Sequence, residues 1–369
     1  MEKRRVLIFT FAYGSGHYIA GLGLLQAIEE LNLPWEVLHL DGILESHRKL
    51  DKLTADMYLW FSRKGHGYWK LLYENPLTRS RLMKLIMRLS INRKILERIR
   101  EFQPHIIIST HFLSHQYAHV LKRRGLDFRH YLVITDYEIH PIWISEPTDA
   151  YFLPSEWSAK TIKNLSKYRI TGIPLRKPFW SPPSREDGRR FLNINTRKPV
   201  LFLNLGTHGV MPLSDALNFI SKWKNDFYFL IVAGRNERNF RAFEGMLGRG
   251  EFEGQVFSFT QDIPYLMAAS NLIITKAGGL TVSEMLAVGR AGIYYRSMPG
   301  QEKGNERFIL ENDAGFSADN LELLNNLIAE LLGDMDRVHL AEENARRLGK
   351  PKAALEIVKH VSHETGLKN

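Results

Sequence analysis

The sequence predicts an α/β protein with two doubly wound domains, each built on a parallel sheet. Short runs that are apolar throughout alternate with helical stretches, which is typical of parallel sheets covered on both faces. These runs fall into two series, and the proline-rich segment 172–183 between them predicts a linker. A length of 369 residues also fits two domains with ample core.

The strand candidates share continuous apolar character and lie between turn-forming residues. The first series comprises 5–11, 36–40, 105–110, 130–135, 150–153 and 168–171. The second series comprises 199–204, 227–233, 254–259, 271–275 and 291–294. Helical periodicity is clearest at 18–31, 112–124, 213–224, 280–288 and 319–333.

This pattern predicts an N-terminal domain over 1–175 and a C-terminal domain over 176–351. A helix near 352–369 is expected to pack back on the first domain. Open α/β sheets bind ligands beyond the carboxyl ends of their strands. We therefore expect two such edges to face each other across a ligand-binding cleft.

Charge is unevenly distributed along the chain. Net charge is +10, and residues 51–130 hold 16 Lys or Arg against 6 Asp or Glu, so this stretch carries the whole excess. Such a stretch attracts an anionic partner. Cysteine is absent, which excludes disulfides and thiolate metal sites and fits a reducing cytoplasm. The apolar run after Met1 is too short for a signal peptide and is interpreted as the first strand.

The first strand leads into Gly14-Ser15-Gly16-His17, followed by a helix. The free N–H groups of a helix N-terminus favour an anion or a polar ligand. A dinucleotide fingerprint with Asp41 as the ribose acid is one alternative, although Ile19 stands where its third glycine would be. His17 faces the expected cleft and could accept a proton from an attacking hydroxyl. Equally, it could only hydrogen-bond the loop.

Two polar segments follow consecutive strands in the second half. Strand 271–275 ends in Lys276-Ala277-Gly278-Gly279-Leu280-Thr281-Val282-Ser283-Glu284, which suits a diphosphate at the helix N-terminus and a ribose on the glutamate. For that segment alone, an ordinary strand-to-helix turn with its glutamate in the favourable first turn is the favoured interpretation. The next strand leads into Met298-Pro299-Gly300-Gln301-Glu302-Lys303-Gly304-Asn305, expected to be a loop rich in sugar-binding groups.

Segment 271–305, containing these two motifs, resembles the diacylglycerol glycosyltransferases. These are the monogalactosyldiacylglycerol synthases and the processive diacylglycerol glucosyltransferases, relatives of the peptidoglycan lipid N-acetylglucosaminyltransferase. The resemblance extends in family order over most of the chain. It includes Tyr13-Gly14-Ser15-Gly16-His17, Thr135-Asp136-Tyr137, His140-Pro141-Ile142-Trp143, Pro154-Ser155-Glu156 and Thr171-Gly172-Ile173-Pro174-Leu175-Arg176.

The resemblance implies a GT-B fold, a UDP-hexose donor, inversion at the anomeric carbon and a diacylglycerol-type acceptor. It makes His17 the candidate base and leaves Asp136 either catalytic or structural. Implied donor contacts are Arg176, Thr207, Phe259, Thr260, Gly278, Gly279, Leu280, Thr281, Glu284, Gln301, Glu302 and Asn305. No cofactor is implied. Leu205 stands where the relatives often have a second glycine in the turn that contains Thr207.

The basic stretch is rich in aromatic residues. A helix predicted within 79–100 carries an apolar stripe beside a basic face, which suits an anionic membrane interface. A solvated domain helix is the alternative interpretation, and no motif supports nucleic-acid binding. With the lipid acceptor, the pattern predicts peripheral attachment at the cytoplasmic face of the cell membrane. Expected acceptor or membrane contacts are Gly16, Trp60, Trp69, Arg81, Lys84, Arg88 and Trp143.

Two alternatives to a UDP-hexose:diacylglycerol transferase stay open. One is a UDP-N-acetylglucosamine transferase with a polyprenyl-linked acceptor, and the other is a non-catalytic nucleotide-sugar binding module. No metal is expected at the donor site. The only Asp-x-Asp pair, Asp334-Met335-Asp336, lies in a turn between two late helices, far along the chain from both donor segments.

Overall fold

The computed structural model of the protein describes residues 3–12, 15–45, 92–144, 148–162, 165–205 and 211–366. The chain divides into two compact units. The first unit comprises Met1–Lys177, Pro299–Gly304 and Lys352–Asn369, and the second comprises Pro178–Met298 and Asn305–Pro351. Each unit contains one parallel sheet of six strands.

The first sheet has the strand order β2-β1-β3-β4-β5-β6, and every neighbouring pair is parallel. Its strands are β1 Arg4–Thr10, β2 Trp35–Asp41, β3 Ile106–Ser109, β4 Arg129–Val133, β5 Ala150–Leu153 and β6 Tyr168–Ile170. The chain moves one way from β1 to β2 and the other way from β1 to β3. Because parallel crossovers are right-handed, this reversal places the connecting helices on opposite faces of the sheet.

The helices of this unit are α1 Ser15–Glu30, α2 Gly42–Glu45, α3 Arg93–Phe102, α4 Phe112–Arg123 and α5 Glu156–Lys160. Asn92 caps the N-terminus of helix α3, and its side chain accepts a hydrogen bond from the N–H of Lys94 at 2.9 Å. The helix buries Ile95, Leu96 and Ile99, at i, i+1 and i+4, against apolar residues of β1 and β3.

The second sheet has the order β12-β11-β10-β7-β8-β9, again all parallel. Its strands are β7 Val200–Asn204, β8 Tyr228–Val232, β9 Gly254–Phe257, β10 Leu272–Thr275, β11 Gly292–Tyr295 and β12 Gly315–Ala318. The accompanying helices are α6 Arg185–Phe191, α7 Leu213–Trp223, α8 Glu237–Gly248, α9 Ile263–Ala269, α10 Gly279–Val288, α11 Gln301–Glu311, α12 Leu321–Gly333 and α13 Met335–Leu348. Strand order reverses here between β7 and β10.

The predicted fold class is confirmed: both sheets are parallel and doubly wound. All eleven predicted strands form, with ends within two residues of the predicted ones, and the five predicted helices form as well. One strand was missed, β12. One prediction was wrong: the segment 298–305 was expected to be a loop, but α11 begins at Gln301.

The last helix, α14 Ala353–Glu364, returns to the first unit and packs against α1. Its Ile357, Val358 and Val361 are fully buried. Each such side chain contributes about 1.5–3 kcal/mol when it leaves water. The first unit is therefore completed by residues from the end of the sequence given.

Candidate active site

His17 lies where strand order in the first sheet reverses, between β1 and β3. Open α/β sheets bind ligands beyond the carboxyl ends of the strands at such a reversal. His17 is the third residue of α1, directly after β1. Its Nδ1 lies 2.8 Å from the carbonyl oxygen of Thr110, beyond β3, and 2.9 Å from the hydroxyl oxygen of Thr135, beyond β4. The carboxyl ends of three neighbouring strands thus converge on one imidazole.

The contact with Thr110 fixes the tautomer of His17. A carbonyl oxygen only accepts hydrogen bonds, so Nδ1 carries the proton and donates it, and the lone pair stays on Nε2. Thr110 also donates its hydroxyl to the carbonyl oxygen of His17 at 3.2 Å. Across the residues that the structure describes, Nε2 makes no hydrogen bond. This nitrogen is therefore the one that can accept a proton.

Burial sets the charge of His17 and of the neighbouring His111. Burial lowers the pKa of His17 to about 4, although the hydrogen bond to Thr110 opposes the fall. The ring of His111 packs edge-on at a centroid distance of 4.5 Å. Burial, and then the charges of His17 and His115, hold the pKa of His111 well below its usual range. Both imidazoles are therefore neutral at pH 7, as a base awaiting a proton must be.

Trp143 packs near His17. Its ring centroid lies 6.2 Å from that of His17, and the residue is 1% exposed. This burial leaves almost no side-chain surface of Trp143 to touch lipid, and its expected acceptor or membrane contact stays a prediction. Gly16 precedes His17 in the first turn of α1 and is half-buried.

Asp136 and Gln301 are hydrogen-bonded to each other within the first unit. Nε2 of Gln301 donates to Oδ2 of Asp136 at 2.9 Å, and Asp136 is buried. Gln301 and its neighbour Glu302 form the first turn of α11. The bond thus joins a residue expected to bind sugar to one expected to be catalytic or structural.

Arg176 has an uncompensated polar atom. Its Nε is buried and has no hydrogen-bond partner among the described residues, although the residue as a whole is half-buried. The next residue, Lys177, is fastened to α1: its N–H donates to Gln26 at 2.8 Å, and its ammonium lies 2.6 Å from Glu30. A buried guanidinium N–H without a partner is costly and suits an anionic ligand.

The turn between β10 and α10 lies where strand order in the second sheet reverses. Gly278 is the N-cap residue of α10, and as a glycine it offers no side chain to cap the first turn of the helix. Among the described residues other than its chain neighbours, the nearest side-chain atom to a Cβ built at Gly278 is the hydroxyl oxygen of Thr281, at 3.8 Å. The protein itself therefore does not need a glycine there, and the space above the helix N-terminus suits an anion.

The remaining donor candidates of the second unit differ in exposure. Gly279, Leu280 and Thr281 form the first turn of α10, and Glu284 lies one turn further and is buried. Phe259 is 55% exposed, with the guanidinium of Arg235 5.3 Å from its ring centroid. The ring of Phe259 is therefore partly accessible to a ligand, whereas the carboxylate of Glu284 is buried within α10.

Two of the candidate donor-binding residues, Thr260 and Asn305, form hydrogen bonds with other groups of the protein. The hydroxyl of Thr260 donates to the carboxylate of Asp262 at 3.0 Å and accepts from its N–H at 3.1 Å, which closes the turn before α9. Asn305 is fully buried, and its Nδ2 donates to the carbonyl oxygen of Ala277 at 3.0 Å. That bond fixes α11 to the turn before α10 and uses the amide expected to meet sugar.

Several expected site residues lie outside the described residues. They are Thr207 in the second half, and Trp60, Trp69, Arg81, Lys84 and Arg88 in the basic stretch. Their roles stay predictions.

Comparisons with known proteins cover both halves of the chain. Residues 24–175 match the family model described as monogalactosyldiacylglycerol (MGDG) synthase, and residues 200–361 match the glycosyltransferase family 28 C-terminal domain. The resemblance to the diacylglycerol glycosyltransferases is confirmed, and both halves of the chain match glycosyltransferase models. This glycosyltransferase is 26% identical to a processive diacylglycerol beta-glucosyltransferase of Bacillus subtilis, covering 98% of this chain and 96% of that one. A protein of the same name from Bacillus cereus strain AH187 is 27% identical, with coverage of 97% and 93%.

Solved structures support the GT-B fold. MurG of Acinetobacter baumannii is similar with a TM-score of 0.64 at 14% identity, covering 98% of this glycosyltransferase and 99% of MurG. A UDP-glucosyltransferase from Polygonum tinctorium is similar with a TM-score of 0.66 at 13% identity, with coverage of 98% and 99%. At such low identity these similarities establish the fold alone.

Two negative findings concern the described part of this glycosyltransferase. No group of three or more His, Asp or Glu side chains there is placed to hold a metal ion. Asp334, from the only Asp-x-Asp pair, instead caps α13 by accepting from the N–H of Arg337 at 3.3 Å. No described helix is long and apolar enough to cross a membrane.

Sequence reasoning missed the groups that orient the base. Thr110 and Thr135 lie 93 and 118 residues from His17 in the chain, so local spacing does not reveal the contacts. The available signal was positional: Thr110 and His111 directly follow β3, which neighbours β1, and Thr135 lies just beyond β4, the next strand of the sheet. Polar residues just beyond adjacent parallel strands are expected to converge.

Proposed function

We propose that this chain transfers glucose from UDP-glucose to diacylglycerol, or to a glucosylated diacylglycerol, with inversion at the anomeric carbon. The curated relatives that match over nearly the whole chain are named processive diacylglycerol beta-glucosyltransferases, which favours glucose. The observation that carries the chemistry is the fixed tautomer of His17, with a neutral imidazole and a lone pair on Nε2.

In the proposed step, Nε2 of His17 removes the proton of the acceptor hydroxyl as the oxygen attacks the anomeric carbon. The bond between that carbon and the β-phosphate oxygen breaks, and UDP leaves with the bonding electrons. One displacement from an α-linked donor gives a β-glycoside. Nδ1–H stays bonded to the carbonyl of Thr110, so the imidazole holds its orientation while Nε2 takes the proton.

The leaving UDP gains negative charge, which the donor-binding groups would stabilise. We assign the diphosphate to the N-terminus of α10 above Gly278, and to Arg176, whose Nε has no described partner. A helix N-terminus and a guanidinium both stabilise developing phosphate charge. Glu284 is proposed to accept from the ribose hydroxyls, and Glu302 to bind the hexose. No step in this scheme uses a metal ion.

A donor panel tests the proposal. The purified protein is incubated with diacylglycerol and UDP-glucose, UDP-galactose or UDP-N-acetylglucosamine in EDTA, and the lipid product is analysed by mass spectrometry and NMR. We expect β-glucosyl diacylglycerol from UDP-glucose, and none from a His17→Ala protein that still binds UDP. An α-linked product, or transfer only to a polyprenyl-linked acceptor, contradicts the proposal.

Galactose is the second candidate sugar. It is favoured by the match of residues 24–175 to the monogalactosyldiacylglycerol synthase model. Glucose and galactose differ in the configuration of one hydroxyl, so the same pair of Gln301 and Glu302 could serve either. Greater kcat/KM for UDP-galactose than for UDP-glucose in the same panel would select it.

We also propose that the enzyme acts at the cytoplasmic face of the cell membrane, attached peripherally through the basic stretch. That stretch lies mostly outside the described residues, and its charge excess supports the proposal. Each basic residue near an anionic surface contributes about 1 kcal/mol, which salt screens. Binding to phosphatidylglycerol vesicles should exceed binding to neutral vesicles and weaken with salt. Charge reversal at Arg81, Lys84 and Arg88 should reduce binding to the anionic vesicles. Unchanged binding would mean that the helix predicted within 79–100 is a domain helix with a solvated basic face.

A further inference from the structure

A cavity opens in the first unit, at the opposite edge of the sheet from His17. It has a volume of about 670 Å³ and is lined by residues at the starts of β4, β5 and β6, among them Arg129, Ala150 and Tyr168. His17 follows the carboxyl end of β1. Since all strands are parallel, the amino ends that line this cavity lie away from the candidate base.

Of the two acidic groups that line this cavity, Asp149 is neutralised by neighbouring cations, and Glu364 is held by a hydroxyl and lies beside an imidazole. Asp149 accepts from Arg129 at 2.9 Å, from Lys122 at 3.2 Å and from the N–H of His130 at 2.8 Å. Burial alone would raise the pKa of Asp149, but these three contacts outweigh it and lower that pKa. On α14, Glu364 accepts from the hydroxyl of Tyr131 at 3.0 Å, and its other oxygen lies 3.1 Å from Nε2 of His360.

The basic groups of the cavity are not neutralised to the same extent. Lys167 and Arg169 both line the cavity and are exposed, and neither forms an ion pair with any residue in the described ranges. Asp149 is matched by two cations, Lys122 and Arg129, so Lys167 and Arg169 together outnumber the one remaining acid, Glu364. The cavity therefore carries a net positive field that favours an anion.

Two further features distinguish this cavity from an ordinary basic surface. Lys167 has a φ of +57°, in the left-handed region that a non-glycine residue rarely adopts, and such conformations concentrate at ligand-binding sites. Its carbonyl oxygen is fixed by the N–H of Tyr151 at 2.9 Å. Tyr168 is 39% exposed and also lines the cavity. The volume is that of a site for a small molecule.

We propose that this cavity binds the phosphate group of a phosphate monoester, between Lys167 and Arg169. Arg129 would supply a third cation at the same edge. The other part of the ligand would lie against the ring of Tyr168. Such a site is separate from the proposed donor site, because none of its lining residues is among the donor candidates.

Chemical footprinting of Lys167 tests this proposal at the site itself. The full-length protein is treated with an amine-acylating reagent, and the modification of each lysine is followed by mass spectrometry. The probe is sn-glycerol 3-phosphate, with glycerol as the uncharged control. We expect modification of Lys167 to slow by about threefold when about two-thirds of the sites are filled. Lys224, exposed in the second unit, should react at an unchanged rate.

A matched pair of variants separates this site from general charge effects. Arg169→Gln should abolish the protection of Lys167 while UDP binding is retained. Arg100→Gln removes an exposed cation on α3 and should leave the protection intact. Equal protection in both variants, or protection of Lys224 as well, would overturn the proposal.

A vesicle arm identifies the source of the phosphate. Protection by sn-glycerol 3-phosphate in solution assigns a soluble metabolite. Protection by phosphatidic acid vesicles, but not by phosphatidylcholine vesicles or by the soluble probe, assigns a lipid headgroup with the same chemistry. If none of these probes slows the modification of Lys167, the cavity does not bind phosphate.

Discussion

The two sheets reverse strand order once each, and a strand-to-helix turn at each reversal contains a glycine at the helix N-terminus. The turns carry opposite chemistry. At the first, between β1 and α1, an imidazole is held by contacts from beyond β3 and β4. At the second, between β10 and α10, the helix N-terminus is capped by Gly278, which has no side chain, and among the described residues a Cβ there would have room.

The two turns occupy equivalent positions in their sheets, so the fold explains where a ligand can bind. Their different residues explain why the chemistry differs between them. A filled turn with a neutral histidine suits a reaction that moves a proton. An empty turn at a helix N-terminus suits a ligand that brings its own negative charge. This comparison predicts two different effects. Substitutions in the first turn should lower kcat, whereas substitutions in the second turn should weaken the binding of the UDP-sugar donor.

Replacement of the base tests the first turn and should give the largest effect. His17→Ala is expected to lower kcat by about 10²–10⁴-fold with little change in the Kd for UDP, since general-base catalysis is lost and donor contacts remain. Steady-state kinetics and calorimetry measure the two quantities. His363→Ala, at an exposed histidine of α14, is the matched control. Near-normal turnover in a folded His17→Ala protein would remove His17 from the mechanism.

A methyl group added at the second turn should act on binding instead. Gly278 has a φ of −70°, which alanine adopts readily, and among the described residues other than its chain neighbours the added Cβ meets no atom closer than 3.8 Å. Gly278→Ala should therefore change the free energy of unfolding by less than about 1 kcal/mol. It should weaken UDP binding about tenfold, a loss of about 1.4 kcal/mol, if the diphosphate occupies that space.

Gly248→Ala is the control for this experiment, because a Cβ at Gly248, at the end of α8, also meets nothing within 4 Å. Both variants should melt close to the parent. UDP affinity equal in the two would place the diphosphate elsewhere.

The hydroxyl that helps orient the base should have a smaller effect. Thr135→Val keeps the volume of the side chain but removes the oxygen 2.9 Å from Nδ1 of His17, while the carbonyl of Thr110 remains. Loss of one such hydrogen bond costs about 1 kcal/mol, so kcat should fall about fivefold. Thr135→Ser restores the oxygen and should recover most of the rate. Equal rates for the valine and serine variants would mean that the hydroxyl does not position the base.

The smallest expected change is in the acid limb of the pH profile. Burial lowers the pKa of His17 to about 4, so the base stays neutral well below pH 6.5 and gains its proton only as pH falls through about 4. Between pH 7 and 5.5, kcat/KM should fall by less than about 5% on account of this group, whereas an unshifted histidine would lose about 90%. A tenfold fall by pH 5.5 in a stable protein would show that His17 is not buried when it reacts.

The sequence was sufficient for most strands because each is apolar along its whole length. It failed at β12, whose residues Gly315-Phe316-Ser317-Ala318 contain a single large apolar side chain. It failed again at α11, where proline and glycine in the segment 298–305 favour a loop. Gly304 lies within α11 for a steric reason and does not mark a loop. A Cβ there would lie 2.5 Å from the Cβ of Glu138, so the glycine allows the helix backbone to approach Glu138 closely.

For the site, the sequence pointed to His17 through its position after the first strand. It did not reveal which nitrogen is free, because that depends on the carbonyl oxygen of Thr110, a backbone atom that no residue type identifies. It also assigned Asn305 to sugar, whereas the buried amide bonds the carbonyl of Ala277. Long-range contacts of this kind arise from tertiary packing and leave no local pattern.

The return of α14 to α1 also sets the order in which the chain can fold during synthesis. Every residue of the second unit precedes Lys352, so that unit can close while the last helix is still being made. The first unit, although translated earlier, must wait with the α14-binding face of α1 uncovered. Domains are usually expected to fold in the order of their synthesis. Here the first unit, which carries the candidate base His17, becomes complete last. A chain that stops before Lys352 would contain every residue of the second unit, but its first unit would lack α14.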